Sequence, residues 1–273
     1  MLGTMRRRHP NRFDLERLRR GLGSVRLFWY PHVRSTNDQA ALLRQRGQLF
    51  APAVVLGGRQ TAGRGRGRNT WWSAPGCLTV TFVLPVEERL GVHQLPLVAG
   101  LATRQAAAEL AAEPRIALKW PNDVVYAQGK LAGVLCERIG GVDLVGIGLN
   151  VNLEPQDAPP ALRRRLTSLS QIAGGELDLT DALLALWRHL GQTMLRRRGY
   201  PFAAILREYE RHHVLNGRHI RVAIDQRHFV EGVCRGIDGE GRLLVVSAGS
   251  VRRIVTGSVV EDGGSGGDCG DCL

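Results

Sequence analysis

Gln60-Thr61-Ala62-Gly63-Arg64-Gly65-Arg66-Gly67-Arg68-Asn69-Thr70-Trp71-Trp72-Ser73-Ala74-Pro75 is the stretch on which the reading of this chain turns. Three glycines alternate with three arginines and run into a tryptophan pair. Glycine lets a backbone come close to a bound group, and arginine pairs bidentately with carboxylate or phosphate. The stretch therefore reads as a loop that wraps an anionic ligand, although RNA-binding segments draw on the same residues. It joins two apolar runs read as strands, Ala53 to Leu56 and Leu78 to Leu84. A loop of that length between adjacent strands is unusual unless it is functional.

Around this loop the chain reads as α/β. Val25 to Tyr30 predicts a strand, and Ser35, Thr36 or Asn37 caps a short helix closed by Gly47. Leu95 to Leu110 predicts an alanine-rich core helix. Ile116 to Leu118 is a short strand running into Lys119-Trp120-Pro121-Asn122-Asp123. Val124 to Tyr126 and Lys130 to Arg138 form a hairpin, and Val142 to Asn152 is an apolar strand whose glycines admit a ligand. Two helices follow, from Thr180 or Asp181 to Leu195 and from Phe202 to His212. From Asn216 the periodicity becomes that of short antiparallel strands. The expected organisation is an N-terminal extension over 1–24, a catalytic body over 25–214, a small β domain over 215–261 and a flexible tail over 262–273.

Composition excludes some functions. The chain has 273 residues, 44% of them hydrophobic, and no apolar run approaches the ~20 residues that span a bilayer. Arg6 to Arg8 are not followed by an apolar signal region, so a cytoplasmic protein without membrane attachment is expected. The net charge of +12 suggests nucleic acid, but all 37 basic residues except Lys119 and Lys130 are arginine, and they are dispersed. Against that background a lysine marks a position where an ammonium fits. Lys119, at a strand end before a proline, reads as a cation presented rigidly into a cleft; Lys130 reads as a hairpin residue. Cys77, Cys136 and Cys234 read as reduced thiols, and Cys269-x-x-Cys272 as part of the tail. No P-loop, dinucleotide fingerprint, nucleophile elbow or histidine metal pair is present, so no protein-held metal is expected.

In this order, Ser35-Thr36-Asn37, Gln60-x-x-Gly63-Arg64-Gly65-Arg66 with Trp71, Lys119-Trp120-Pro121-Asn122-Asp123, Gly129-Lys130-Leu131-Ala132-Gly133 with Glu137, and Gly146-Ile147-Gly148-Leu149-Asn150 form a specific set. Over residues 25–260 the chain resembles the biotin–protein ligases. The resemblance implies a mixed-sheet catalytic domain like that of class II aminoacyl-tRNA synthetases, followed by an SH3-like β-barrel. It implies that biotin and ATP, with Mg2+, form biotinyl-5′-adenylate, and that biotin passes to a lysine of a biotin carboxyl carrier domain. Ser35, Thr36, Asn37 and Gln60 would meet the ureido end of biotin. Arg64, Gly65 and Arg66 would close over the carboxylate and phosphate, and Trp71 and Asn150 would lie near the nucleotide. Lys119 would be the main catalytic cation, with Arg66. Asn69 stands where the family has a final loop arginine, which leaves Arg68 without an assigned role. The residues before the body are too few for the DNA-binding module of some members, so DNA binding is not expected; a homodimer is compatible with the resemblance. The alternatives are a lipoate or octanoate ligase of the same fold and a basic RNA-binding module.

Overall fold

Strand β3 (Cys77–Pro85) shows how the sequence divides the molecule into layers. Side chains alternate across a strand, so Leu78, Val80, Phe82 and Leu84 turn to one face while Thr79 and Thr81 turn to the other. The apolar face meets the main core, and the threonine face meets the site. The computed structural model describes residues 12–199 and 201–260.

The elements before β3 are α1 (Leu15–Leu22), β1 (Arg26–Val33), α2 (Thr36–Gln45) and β2 (Ala53–Gln60). After it come α3 (Leu95–Leu110), β4 (Ala117–Lys119), β5 (Asp123–Tyr126), β6 (Gly129–Ile139) and β7 (Val142–Asn150). They build a seven-stranded sheet in the order β1-β2-β3-β7-β6-β5-β4. Only the β1–β2 pair is parallel. Its crossover carries α2, which packs Ala40 and Leu43 on one face of the sheet with Val55, Val83 and Leu144. On the other face lie α3 and α6 (Leu179–Gly199), with Leu97, Leu101, Leu183 and Leu186 fully buried.

Two short helices, α4 (Pro160–Arg163) and α5 (Leu169–Ala173), occupy a segment with no clear pattern in the sequence. Helix α7 (Phe202–Arg211) leads to β8 (His219–Ala223), β9 (Phe229–Ile237), β10 (Leu243–Ser247), β11 (Ser250–Ile254) and β12 (Ser258–Val260). These form a separate five-stranded antiparallel sheet in the order β11-β10-β9-β8-β12. The fold is thus mixed α/β with a small C-terminal β unit.

Neither end of the catalytic body is isolated. Asp14 caps α1, Arg17 pairs with Asp178 and Asp181 ahead of and within α6, and Leu18 and Leu22 are buried in the main core. Ile220, Val222, Leu243 and Val245 of the C-terminal sheet belong to that same core. Among the described residues no helix is long and apolar enough to cross a membrane. Cys77, Cys136 and Cys234 are free thiols; Cys269 and Cys272 lie outside the described residues.

Candidate active site

The site forms on the face of β3, β6 and β7 that carries threonine and glycine. Gly146 and Gly148 of β7 are where the sheet lets other groups come close. A Cβ on Gly146 would stand 2.3 Å from Asn37 Oδ1, and one on Gly148 would stand 2.3 Å from the Trp71 ring. No side chain fits at such distances, so these glycines admit Asn37 and the Trp71 indole directly onto the sheet.

The start of α2 is built into this floor. Ser35 caps the helix, its hydroxyl accepting from Asp38 N at 3.4 Å. Gln60, at the end of β2, accepts from Thr36 N at 2.7 Å and from the Thr36 hydroxyl at 3.2 Å. The Thr81 hydroxyl donates to Asn37 Oδ1 at 2.6 Å, while Asn37 Nδ2 donates to Glu137 at 2.7 Å and to the Leu135 carbonyl at 3.2 Å. Ser35, Thr36, Asn37 and Gln60, expected together on sequence grounds, do converge, with Glu137 from β6 among them.

The arginine-glycine loop folds as a small hairpin. Arg64 bridges Thr70, Gly65 N donates to Asn69 O at 2.7 Å, and the turn needs a positive φ at Gly67 (67°). The irregular arginine spacing has this geometric outcome: Gly67 makes the tip, and Arg68 is exposed there. Trp71 N returns to the Gly63 carbonyl at 2.9 Å, which anchors the base of the loop.

The two inner arginines have different company. Arg64 forms a bidentate pair with Glu137 at 3.0 and 2.7 Å and a further ion pair with Asp38 at 2.7 Å. The Glu137 bond raises the guanidinium pKa above its usual value. Burial pushes the Glu137 carboxyl upward, but the bonds from Arg64 and Asn37 outweigh it and leave the pKa below the ordinary value. Arg66 instead reaches the C-terminal sheet, donating to Thr256 Oγ1 at 3.1 Å and to the Gly257 carbonyl. Burial lowers its pKa, and the charge on Asp123 opposes that.

The two lysines also part. Lys130 opens β6, its backbone held by Arg165 and Thr167. Its ammonium lies 2.8 Å from Asp123 Oδ1 and 5.9 Å from the centre of the Trp71 ring. Lys119 closes β4, the far edge strand, with its backbone opposite Asp123. Lys130 is therefore more than the hairpin residue expected of it. The available signal was its rarity in an arginine-rich chain.

Asn150, expected beside a nucleotide, is buried, and its amide donates to the carbonyls of Lys130 and Thr167 at 3.2 and 3.0 Å. In this geometry it steadies the platform that carries Lys130. Thiol chemistry has no support, since burial raises the Cys77 pKa to about 11 and pushes Cys136 up as well. Among the described residues no three histidines, cysteines or acids converge as metal ligands.

The arrangement defines a class: an α/β body whose glycine floor carries a polar cluster from α2 and β2 and, beside it, a lysine against an aromatic face. The comparisons with known proteins specify it. Residues 29–154 match the Biotin/lipoate A/B protein ligase family, and residues 216–261 match the Biotin protein ligase C terminal domain. The biotin–[acetyl-CoA-carboxylase] ligase of Paracoccus denitrificans is 33% identical over 249 residues, covering 85% of this chain and 99% of that protein. The ligase of the same name from Mycobacterium tuberculosis is 31% identical over 236 residues, covering 83% and 85%. Biotin protein ligase from Aquifex aeolicus, in complex with biotin and ATP, superposes with a TM-score of 0.76 at 28% identity, covering 86% and 97%. This chain belongs to the biotin protein ligase family.

Proposed function

We propose that the protein activates biotin with ATP and transfers it to a lysine of a biotin carboxyl carrier domain. The observation that carries this reading is the meeting of Arg66, Lys130 and Trp71 with the Ser35–Asn37 and Gln60 cluster across one glycine floor. The polar cluster suits a ureido group, and the cations suit the carboxylate and phosphate that must react.

In the first step a biotin carboxylate oxygen attacks the α-phosphorus of ATP. The bond to the bridging oxygen breaks, and pyrophosphate leaves. Charge on both reacting groups must be offset, which is the work of preorganised cations. The resemblance assigns that work chiefly to Lys119, with Arg66. Lys130, whose ammonium stands beside Asp123 and Trp71, adds a further cation at the same site. In the second step the acceptor amine attacks the carbonyl of the mixed anhydride and AMP leaves. The loop from Gly63 to Trp71 shields that anhydride from water. Magnesium would accompany ATP and would supply positive charge to its phosphates.

Pyrophosphate release from biotin plus ATP, followed by a biotin mass gain on a carrier domain, tests the reading. Loading of lipoate instead, under the same conditions, would replace it with the lipoate-ligase alternative.

A further inference from the structure

Arg66 is held from a distance of 190 residues in the chain. Its two acceptors, the Thr256 hydroxyl and the Gly257 carbonyl, form the turn between β11 and β12. Gly257 is buried, and Ser258 beside it pairs with Ala223 of β8. The position of that carbonyl is thus set by the C-terminal sheet and not by the arginine-glycine loop. A second turn of the sheet also reaches the catalytic body: the Trp120 indole donates to the Gly241 carbonyl at 3.2 Å, and Gln94 donates to the Glu240 carbonyl at 3.1 Å.

The kind of acceptor matters. Arg64 is neutralised by two carboxylates, whereas both acceptors of Arg66 are uncharged oxygens. Neutral acceptors orient a guanidinium without cancelling its charge, and its remaining donors stay free to meet an anion. We infer that Thr256 is a positioning residue for adenylate formation: with the Gly257 carbonyl, it lets the C-terminal sheet hold Arg66 aimed at the anionic ligand. The inference rests on the assignment of Arg66 to the adenylate-closing loop.

The test compares Thr256→Val, which keeps the shape and removes the acceptor, with Thr256→Ser, which keeps the hydroxyl. Thr256 is exposed, so both variants should fold. The first readout needs no catalysis. Trypsin should cut after the loop arginines Arg64, Arg66 and Arg68 faster in Thr256→Val than in wild type or Thr256→Ser. Equal cutting rates would overturn the inference.

The second readout is the rate at which biotinyl-adenylate escapes into solution. Loss of this one exposed hydrogen bond should raise it by about three- to tenfold in Thr256→Val and leave Thr256→Ser unchanged. Added to Arg66→Ala, Thr256→Val should change nothing further, because its route runs through the missing guanidinium. A full additional effect in that background would show that Thr256 acts elsewhere, and the inference would fall. If wild-type protein makes no adenylate from biotin and ATP, the proposed function fails, and the trypsin comparison alone still decides whether Thr256 holds the loop.

Discussion

Lys130 and Lys119 are the only lysines in the chain, and they make a clean comparison at the scale of single residues. Lys130 faces Asp123 and the Trp71 ring from the opening of β6, whereas Lys119 ends the edge strand β4. Removing one preorganised cation from a phosphoryl-type transition state costs about 100-fold or more in rate. We therefore expect Lys119→Ala to depress pyrophosphate release by about that factor, with a smaller loss for Lys130→Ala, whose charge Asp123 already offsets. A larger loss at Lys130 would move the main role away from the residue chosen on sequence grounds. Arg66→Ala has a different signature. Its guanidinium is tied to the C-terminal sheet, so its loss should free the loop and let biotinyl-adenylate leak into solution. Adenylate retained as tightly as in wild type would count against the loop as a lid.

At the scale of elements, the glycine floor and the loop above it behave as one unit. A Cβ on Gly148 would lie 2.3 Å from the Trp71 ring, so Gly148→Ala should expel the indole while leaving β7 paired. We expect a change in tryptophan fluorescence together with weaker adenylate retention. An unchanged spectrum would show that Trp71 does not rest on the floor in solution. Much of this unit was legible in the sequence, because alternating threonines in β3, paired glycines in β7 and the loop composition are local signals. Other parts had no local signature. β1 continues through Pro31 to Val33, which an edge strand tolerates and a pattern reading truncates. The helices α4 and α5 are short and follow a proline-rich segment, so periodicity had too few residues to register. The bonds from Arg66 to Thr256 and Gly257, and from Arg64 to Glu137, join distant segments through the tertiary fold. Composition could show that these side chains were charged but not which of them would keep its charge available.

At the scale of the whole molecule, the two sheets share one core, and His213 sits at their junction. It follows α7, bridges Leu118 of β4, and packs against the Tyr209 ring with centroids 5.7 Å apart. Both ring nitrogens are buried without a hydrogen-bond partner, and burial lowers the pKa from 6.5 to about 4. The folded protein therefore resists protonating a group that the unfolded chain protonates readily. Above the unfolded value both states hold a neutral imidazole, and the residue adds no pH dependence. As pH falls from 6.5 towards 4, the unfolded state binds the extra proton and stability is lost; below the folded value the loss levels off. The difference between the two values bounds the effect at about 3 kcal/mol. We expect His213→Leu, which fills the space without a titratable ring, to flatten the decline in denaturation midpoint between about pH 6.5 and pH 4 relative to wild type. Because other groups titrate in the same range, the informative quantity is the difference between the two proteins. Since the core is continuous across both sheets, fluorescence and circular dichroism should follow the same transition in each. Parallel curves for wild type and variant would mean that His213 reaches water or a partner in solution, and that the junction between the sheets is looser than its packing indicates.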